Sequence, residues 1–192
     1  MARRHVSALS LSLLVCLPPV AGAQSAPDVW SVVAPASKLT YHAIHKLHGV
    51  VGESRAIVGK ARITPTGEAQ VMVRVTTLSF DSGNVNRDAH IHEALEAARF
   101  PTIEVKAIAD GVHPPERFPA HVTLPARVQL LFHGETELLA VPIELVWETP
   151  RRMHASCKLD VSLARHKVKA PSLMFIAVDD LLHIEADLTL ER

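Results

Sequence analysis

The stretch "MHASCKLDVS", residues 153–162, alternates apolar and polar side chains at every second position. Met153 and Val161 belong to the apolar set, whereas Asp160 belongs to the polar one. Successive side chains of a β-strand point to opposite faces, so this period predicts a strand with one buried and one solvated face. Such alternation is typical of antiparallel sheets, because the strands of a parallel sheet are usually covered on both faces.

The same period of two recurs along most of the chain and predicts further strands. Their approximate bounds are 28–34, 37–48, 50–63, 71–76, 102–107, 120–132, 136–149 and 182–191. Turn residues predict hairpin loops at 65–68 and 133–135. The chain is therefore predicted to be all-β, with about eight antiparallel strands in one domain that form a sandwich or close into a barrel.

One stretch departs from this period and predicts a short helix over residues 87–98. Apolar residues recur there at helical spacing: Ile91, Leu95 and Ala98. Asn86 is a suitable N-cap, and Asp88 lies in the first turn, where a carboxylate is favourable. Pro101 prevents the helix from continuing. The helix is expected between the fourth and fifth strands.

The first 23 residues have the features of a secretory signal peptide. A basic start precedes a mostly apolar run, and Ala21-Gly22-Ala23 forms an A-x-A cleavage signal. Cleavage after Ala23 is expected, which leaves residues 24–192 as one barrel domain of ordinary size in the periplasm or outside the cell. No long apolar run follows the signal, so no stable membrane anchor is predicted.

Composition limits the partners and the chemistry of the mature chain. The signal contains two of the 20 Lys and Arg residues and none of the 20 Asp and Glu residues, so the mature net charge is −2 with neutral histidines. That balance gives no electrostatic footprint for nucleic acid. Cys157 is the one cysteine that remains, so no intrachain disulfide can form. Transient membrane contact and a homodimer are both compatible with the sequence.

Four stretches resemble the YceI-like family of exported, lipocalin-like barrels. They are "WSVVAPASKLTYHAIHKLHGVVG", "SFDSGNVNRDAHIHEALEAARFPTIEVKA", "LLFHGETELLAVPIEL" and "KAPSLMFIAVDDLLHIEADLTL". The second is the most specific, because an Arg87-Asp88 pair starts a helix that ends at Phe100-Pro101 before a strand. The chain departs from the family in its richness in histidine and in a loop, "SLARHKVKAP", without the usual glycine.

The resemblance implies a lipocalin-like barrel whose elongated apolar interior holds one amphiphile. Polyisoprenoids, isoprenoid quinones and fatty-acyl compounds are the expected ligands, and no other cofactor is expected. Such a carrier needs mainly a dry apolar tube, with polar residues at its mouth to orient a head group. The candidate ligand-contacting residues are Tyr41, His45, Phe80, Arg87, Asp88, Phe100, Phe132, Trp147 and Cys157.

Several of these residues have two interpretations. Arg87 and Asp88 suit an anionic head group, but the preferred interpretation is an ion pair and helix start that anchor the helix across one end of the barrel. His45 is expected to point inward, either to a ligand or to a backbone carbonyl. Cys157 lies on the apolar face of its strand, opposite to His154, and is expected to be an inert wall residue.

Three other hypotheses compete with the carrier. A metal-binding protein would use the 11 mature histidines, but His42, His45 and His48 on one extended strand are too far apart or on opposite faces for one ion. No metal site is therefore assigned. A filled-core barrel that binds a partner protein would have no cavity. An enzyme is the least favoured, because no catalytic constellation is visible.

Overall fold

The computed structural model describes residues 26–45, 48–169, 172–173, 176–177 and 179–192. The predicted signal peptide and its cleavage site lie outside these residues. None of the helices in this part of the chain is long and apolar enough to cross a membrane.

Most of the described residues are in β-strands, as the alternation predicts. The strands are β1 (Asp28–Val32), β2 (Lys38–His45), β3 (His48–Ser54), β4 (Ile57–Ile63), β5 (Ala69–Thr76), β6 (Thr102–Ala109), β7 (Ala120–Phe132), β8 (Glu135–Thr149), β9 (Arg152–Ser162), β10 (Ser172–Leu173), β11 (Ile176–Ala177) and β12 (Leu181–Glu191). A short helix, α1 (Val85–Ala94), and two 3₁₀ turns (Ala34–Ala36 and Thr77–Ser79) interrupt them.

The long strands close into an antiparallel barrel. Their order is β1-β4-β5-β6-β7-β8-β9-β12-β2-β3, and β1 also pairs with β12. β1 and β2 act as one broken strand, because both pair with β12. β3 and β4 act as a second broken strand, because β3 pairs with β2 and β4 pairs with β1. Counted in this way the barrel has eight strands, which confirms the predicted fold class. β10 and β11 form a separate two-stranded ladder.

A buried serine holds the break between β1 and β2. Ser37 is fully buried; its hydroxyl donates to the Val33 carbonyl (2.8 Å) and accepts from the Thr189 N–H (3.0 Å). The Thr189 hydroxyl donates to the Ala36 carbonyl (3.0 Å). These bonds satisfy backbone groups that the 3₁₀ turn removes from the ladder. β12 can therefore change its partner from β1 to β2 without leaving buried polar groups unpaired.

The structure corrects two predicted strands. The predicted strand 50–63 is two strands, because the Ser54 hydroxyl accepts a hydrogen bond from the Ala56 N–H (3.2 Å) at the break. The predicted strand 37–48 ends at His45, and His48 already belongs to the returning strand, where it pairs with His45. A hairpin thus replaces the single extended strand used in the metal argument.

The helix begins and ends earlier than residues 87–98. Asn84 is the N-cap rather than Asn86, and its side-chain oxygen accepts from the Arg87 N–H (3.0 Å). The regular helix ends at Ala94. Glu96 then takes a left-handed conformation with φ 44°, which ends the regular helix before Pro101 is reached.

One region of the barrel is densely packed around two tryptophans. The indole rings of Trp30 and Trp147 meet edge to face, with centroids 5.3 Å apart, and their side chains are 0% and 2% exposed. We call this region the tryptophan end. It also contains Ala61, Ile63, Ala69, Ala109, Val112, Ala126, Val141, Leu145, Met153 and Leu190. Small alanines beside the large rings allow this region to fill completely.

Candidate ligand-binding site

A second region of the interior consists of aliphatic side chains that are only partly buried. These side chains lie on the inward faces of β2, β12 and β9, which are neighbours in the sheet. We call them the aliphatic wall: Leu39, Ala43, Ala155, Cys157, Leu159, Leu182, Ile184, Ala186 and Leu188. Their order is fixed by register, since Leu39 pairs with Ala186, which pairs with Cys157 on its other side.

The aliphatic wall is less completely buried than the residues beside it. Along β9, Met153 and Val161 are buried, whereas Ala155, Cys157 and Leu159 between them on the same face are half-buried. An inward side chain in the middle of a barrel strand contacts water only where the opposite side chains leave room. Opposing side chains therefore cover the middle of this inward face less completely than its two ends.

The barrel is also less tightly closed beside this wall. β8 and β9 pair over Glu144–Thr149 and Arg152–Ser156, but no pairing continues between the first half of β8 and the second half of β9. A turn at 163–168 packs beside the first half of β8 instead, and its Arg165 guanidinium donates to the Glu137 carboxylate (2.6 Å). Side-chain contacts thus replace a backbone ladder at this place.

Two buried histidines hold that turn to the β7–β8 hairpin. We call His133, His166 and Glu137 the histidine clasp. His133 Nδ1 donates to the His166 carbonyl (2.9 Å), and His166 Nδ1 donates to the Phe132 carbonyl (3.1 Å). His166 Nε2 lies 3.2 Å from the Glu137 carboxylate, so the imidazolium form can bond at both nitrogens. Hydrogen bonding to Arg165, assisted by His166, lowers the pKa of Glu137.

Tyr41 lies between the aliphatic wall and a polar corner of the chain, which is formed by Ser82, Arg87 and Asp88. It points inward from β2 between Gly52 and Ile184, and its ring meets Phe80 at 60° with centroids 5.8 Å apart. The Tyr41 hydroxyl is buried and makes no hydrogen bond of standard geometry among the described residues, and the Ser82 side chain is its polar neighbour. Burial raises the pKa of this phenol, and the nearby Asp88 carboxylate raises it further.

The polar corner is organised by Ser82. The Asp88 carboxylate accepts from the Ser82 N–H (3.1 Å) and hydroxyl (2.5 Å), and the Arg87 guanidinium donates to the Ser82 hydroxyl (2.7 Å) and carbonyl (2.6 Å). No direct ion pair forms between Arg87 and Asp88, so that part of the preferred interpretation is wrong. Both side chains instead fasten the start of α1 to the corner, as the structural interpretation expects. Ser82 was not identified from the sequence.

The predicted ligand-contacting residues fall into three groups. Tyr41, Phe80, Arg87 and Asp88 come together at the corner. Cys157 belongs to the aliphatic wall. Trp147 lies at the tryptophan end, and Phe132 lies in a buried cluster under the clasp; residues of the wall pack against both clusters. Phe100 packs against the His133 ring, 4.3 Å between centroids. The side chain of His45 lies outside the part of the chain that the structure describes.

Cys157 is a free thiol that packs against the apolar interior. Burial raises its pKa, with a further contribution from the Asp187 carboxylate. A raised pKa keeps the thiol protonated and weakly nucleophilic at neutral pH. These properties agree with an inert wall residue.

Among the described residues, no group of three or more histidine, cysteine or acidic side chains is arranged to hold a metal ion. His42 lies 4.0 Å from Glu185, His154 lies 3.6 Å from Asp187, and His183 bonds Asp160 at 2.6 Å. These exposed pairs join neighbouring strands on the outside of the barrel.

The closed antiparallel barrel with an apolar lining defines the class of lipocalin-like barrels. Within that class, a family model described as the YceI-like domain matches residues 30–190. This match covers most of the chain, and the chain belongs to the YceI-like family.

Solved structures show the same fold at low sequence identity. A polyisoprenoid binding domain from Saccharophagus degradans aligns with a TM-score of 0.69 and 18% identity, over 84% of this chain and 97% of that domain. BcnA of Burkholderia cenocepacia aligns with a TM-score of 0.66 and 14% identity, over 82% and 98%. The Campylobacter jejuni YCEI protein gives 0.50 and 13%, over 71% and 83%. No curated protein matches the chain.

Proposed function

We propose that this protein is a carrier that holds one amphiphile, with its isoprenoid or acyl tail in the barrel interior. The observation that carries the proposal is the half-buried aliphatic wall, because side chains left partly exposed on an inward face favour an apolar occupant. Each buried CH₂ group contributes about 0.8 kcal/mol, so each five-carbon isoprene unit contributes up to about 4 kcal/mol before ordering losses.

The family supports a binding role over a catalytic one. A polyisoprenoid binding domain is among the solved structures that share the fold. In this chain, the polar groups at the corner bond to one another or to the backbone, and Cys157 is protonated, so the interior favours storage of a ligand without reaction. Because fold alone does not fix function, the assignment rests on the wall rather than on the shared architecture.

Location in the periplasm is part of the proposal. The predicted signal peptide at residues 1–23 would deliver the chain to a compartment where hydrophobic molecules need a carrier between membranes. The near-neutral charge and the absence of a second mature cysteine are both compatible with that compartment.

Native mass spectrometry of the full chain, expressed with its signal and purified from the periplasm without detergent, tests the proposal. The expected result is a mass excess that leaves as an organic molecule under denaturing conditions. A mass excess equal to a metal ion would replace the carrier with the metal-binding hypothesis. If the protein is bare, it is mixed with vesicles that contain a long-chain isoprenoid quinone. No uptake from those vesicles would contradict the proposal.

A further inference from the structure

The outward positions of four neighbouring strands, β4, β5, β6 and β7, form a positively charged surface. These strands follow one another in the sheet and lie on one side of the barrel. Their outward positions contain five cations and one carboxylate, and we call this surface the basic face. Its charged residues are Lys60, Arg62, Arg74, Glu104, Lys106 and Arg127.

The remaining side of the barrel has the opposite charge. The outward positions of β8, β9, β12 and β2 contain three cations and six carboxylates, and the carboxylates are those of Glu144, Glu148, Asp160, Glu185, Asp187 and Glu191. Cations of the same side already bind two of them, since Lys158 lies 2.7 Å from Glu185 and Arg152 lies 2.6 Å from Glu191. The near-zero net charge of the chain is therefore the sum of a positive side and a negative side.

Each strand of the basic face also exposes one large apolar side chain. These side chains are between 37% and 65% exposed, and they are Val58, Met72, Ile108 and Leu131. Val58 is in register with Arg74. Met72 is in register with Lys60 on one side and with Lys106 on the other. Paired side chains of an antiparallel sheet have Cβ atoms about 5 Å apart, so cations and hydrocarbon alternate closely over the face.

Part of the positive charge is neutralised within the face or at its edge. The Glu104 carboxylate lies 2.7 Å from Arg74 and 3.0 Å from Lys106, so one carboxylate serves two cations. Arg127 lies 3.6 Å from Asp110, which follows the end of β6. These pairs leave the face with an excess of positive charge.

The two cations of β4 supply much of this excess. Lys60 and Arg62 are both exposed, and neither forms a salt bridge with any residue that the structure describes. They project from the same face of the strand, two residues apart. An anionic partner can therefore bind both without displacing a carboxylate of the protein.

The interleaving of charge and hydrocarbon favours a lipid surface as the partner. Cations are attracted to anionic head groups, and apolar side chains gain free energy by entering the interface beneath them. The hydrocarbon stem of a lysine or arginine can lie in the apolar layer while its charge reaches the head groups. Nucleic acid is less suitable, because single strands bind largely by stacking on aromatic rings and the outward positions of β4 to β7 contain none.

We propose that the basic face binds the surface of a membrane that contains anionic phospholipids, with Lys60 and Arg62 among the head groups and Val58 and Met72 in the interface. The barrel then lies on its side rather than on one of its ends. This inference goes beyond the carrier function and does not depend on it, because binding to a surface requires no ligand inside the barrel.

Cosedimentation of the full chain, purified from the periplasm, with two kinds of vesicle tests the proposal. One kind is phosphatidylcholine alone, and the other is an equal mixture of phosphatidylcholine and phosphatidylglycerol. The wild-type protein should bind the mixed vesicles at least tenfold more tightly. This preference should be lost when the salt is raised from about 0.1 M to about 1 M, because the Debye length falls from about 10 Å to about 3 Å.

Charge removal on the two sides of the barrel gives a matched comparison. Each cation near an anionic surface strengthens binding by about fivefold, so Lys60→Gln/Arg62→Gln should bind the mixed vesicles about twentyfold more weakly. Lys38→Gln/Lys158→Gln removes the same charge from the other side and should leave binding unchanged. All four positions are at the surface, and thermal unfolding verifies that each variant is folded.

An added tryptophan shows which part of the protein touches the lipid. Val58→Trp and Ile44→Trp place an indole ring at exposed positions of the basic face and of β2, respectively. Phosphatidylglycerol with brominated acyl chains quenches an indole that enters the interface. The added fluorescence of Val58→Trp should be quenched and that of Ile44→Trp should not. Trp30 and Trp147 are buried and give the same background in both variants.

Four results would overturn the proposal. Equal binding to both kinds of vesicle, or equal losses in the two double variants, would show that the basic face does not bind anionic lipid. Quenching of Ile44→Trp instead of Val58→Trp would assign the contact to an end of the barrel. Tighter binding of an RNA oligonucleotide than of the mixed vesicles would make nucleic acid the partner. A lipid-free dimer that Lys60→Gln/Arg62→Gln dissociates would assign the face to a second copy of the chain.

Discussion

The tryptophan end and the aliphatic wall belong to the same strands but are packed differently. On β12, Leu190 at the tryptophan end is 3% exposed, whereas Leu188, two residues earlier on the same face, is half-buried. On β9, Met153 is buried and Ala155 is half-buried. At the tryptophan end two indole rings pack edge to face, whereas Leu39 and Leu188 of the wall pack against a cluster of smaller aliphatic side chains.

The difference shows that alternation in a strand does not determine how full the interior is. Alternation places side chains on the inner face, but the volume that they fill depends on the residues that face them across the barrel. The same contrast appears in the backbone, because β8 and β9 are paired at Glu144–Thr149, near the tryptophan end, and are not paired beside Cys157 and Leu159 of the wall. One region is thus a core and the other a lining.

The largest expected effect comes from adding a tryptophan to each region. Ala155→Trp places a ring in the space beside the wall and should reduce the bound amphiphile to below one-tenth while the protein remains folded. Ala126→Trp places the same ring in the filled tryptophan end, where Ala126 is 2% exposed, and should lower the free energy of unfolding by about 3 kcal/mol or more. Native mass spectrometry and urea unfolding measure both quantities.

Ala155→Trp and Ala126→Trp are matched controls, because the same side chain is added in two different regions of the barrel. An Ala155→Trp protein that is folded and retains its full ligand content would show that the wall does not border the ligand site. An Ala126→Trp protein as stable as the wild type would show that the tryptophan end also has unfilled space.

Truncation of two leucines on β12 gives the next largest difference. Leu190→Ala should destabilise the ligand-free protein by about 3 kcal/mol, because it leaves a cavity in a filled region. Leu188→Ala should cost about 1 kcal/mol, because part of this side chain already faces open space. Urea unfolding of ligand-free protein provides both values, and equal losses would contradict the distinction between core and lining.

Cys157 reports on the wall directly, because it is the one cysteine of the predicted mature chain. Burial raises its pKa, so the folded protein should react with iodoacetamide at pH 8 more slowly than the urea-unfolded protein. A bound amphiphile should slow the reaction further by covering the thiol. Mass spectrometry follows the added mass with time. Equal rates with and without ligand would place the ligand away from Cys157.

The smallest expected effect concerns the histidine clasp beside the wall. The folded-state pKa of Glu137 is lowered by Arg165, so its ionised form stabilises the protein above the ordinary glutamate pKa of about 4.5, and this contribution is lost as the pH falls through the lower folded value. Glu137→Gln should therefore cost less than about 1 kcal/mol at pH 7 and progressively less below pH 4.5. Urea unfolding at several pH values measures the difference.

Glu135→Gln serves as the comparison for that measurement. Glu135 pairs with Lys167 at the surface, and this hydrogen bond lowers its pKa in the same direction. Glu135→Gln should have a smaller effect on stability than Glu137→Gln, because it leaves the buried His166 in contact with the Glu137 carboxylate. A cost for Glu137→Gln that does not change with pH would show that the ion pairs of the clasp are not its cause.

The sequence predicted the barrel well because a period of two is a local property. Each long strand has enough alternating positions to indicate its inner face, as Met153 to Val161 do on β9. The break after Ser54 was missed because its sign in the sequence is weak: the buried positions change there from Gly52 and Ser54 to Ile57, and neither glycine nor serine marks a buried face. The helix was predicted two residues late, because Asn84 and Asn86 are both suitable caps and only the backbone path decides between them.

The candidate site was predicted only in part. Tyr41, Phe80, Arg87 and Asp88 come together at the corner, whereas Phe132 and Trp147 lie in two buried clusters, since the type of residue does not tell where an aromatic ring packs. Ligand contact by these residues stays a prediction. Ser82 was missed because an isolated serine in a polar turn has no distinctive signal. The clasp was missed as well, although His133 before Gly134 in a tight turn, with φ of 50° and 78°, is an uncommon choice.

The sequence by itself determined the antiparallel strands, the inward faces and the family, because these depend on residues that are close along the chain. Only the tertiary structure decided which inward faces form a filled core and which form a lining. It also decided that Tyr41 comes to lie beside Ser82 and Asp88. These properties depend on side chains from strands far apart in sequence, whose mutual distances are set by the closure of the barrel and not by any local pattern.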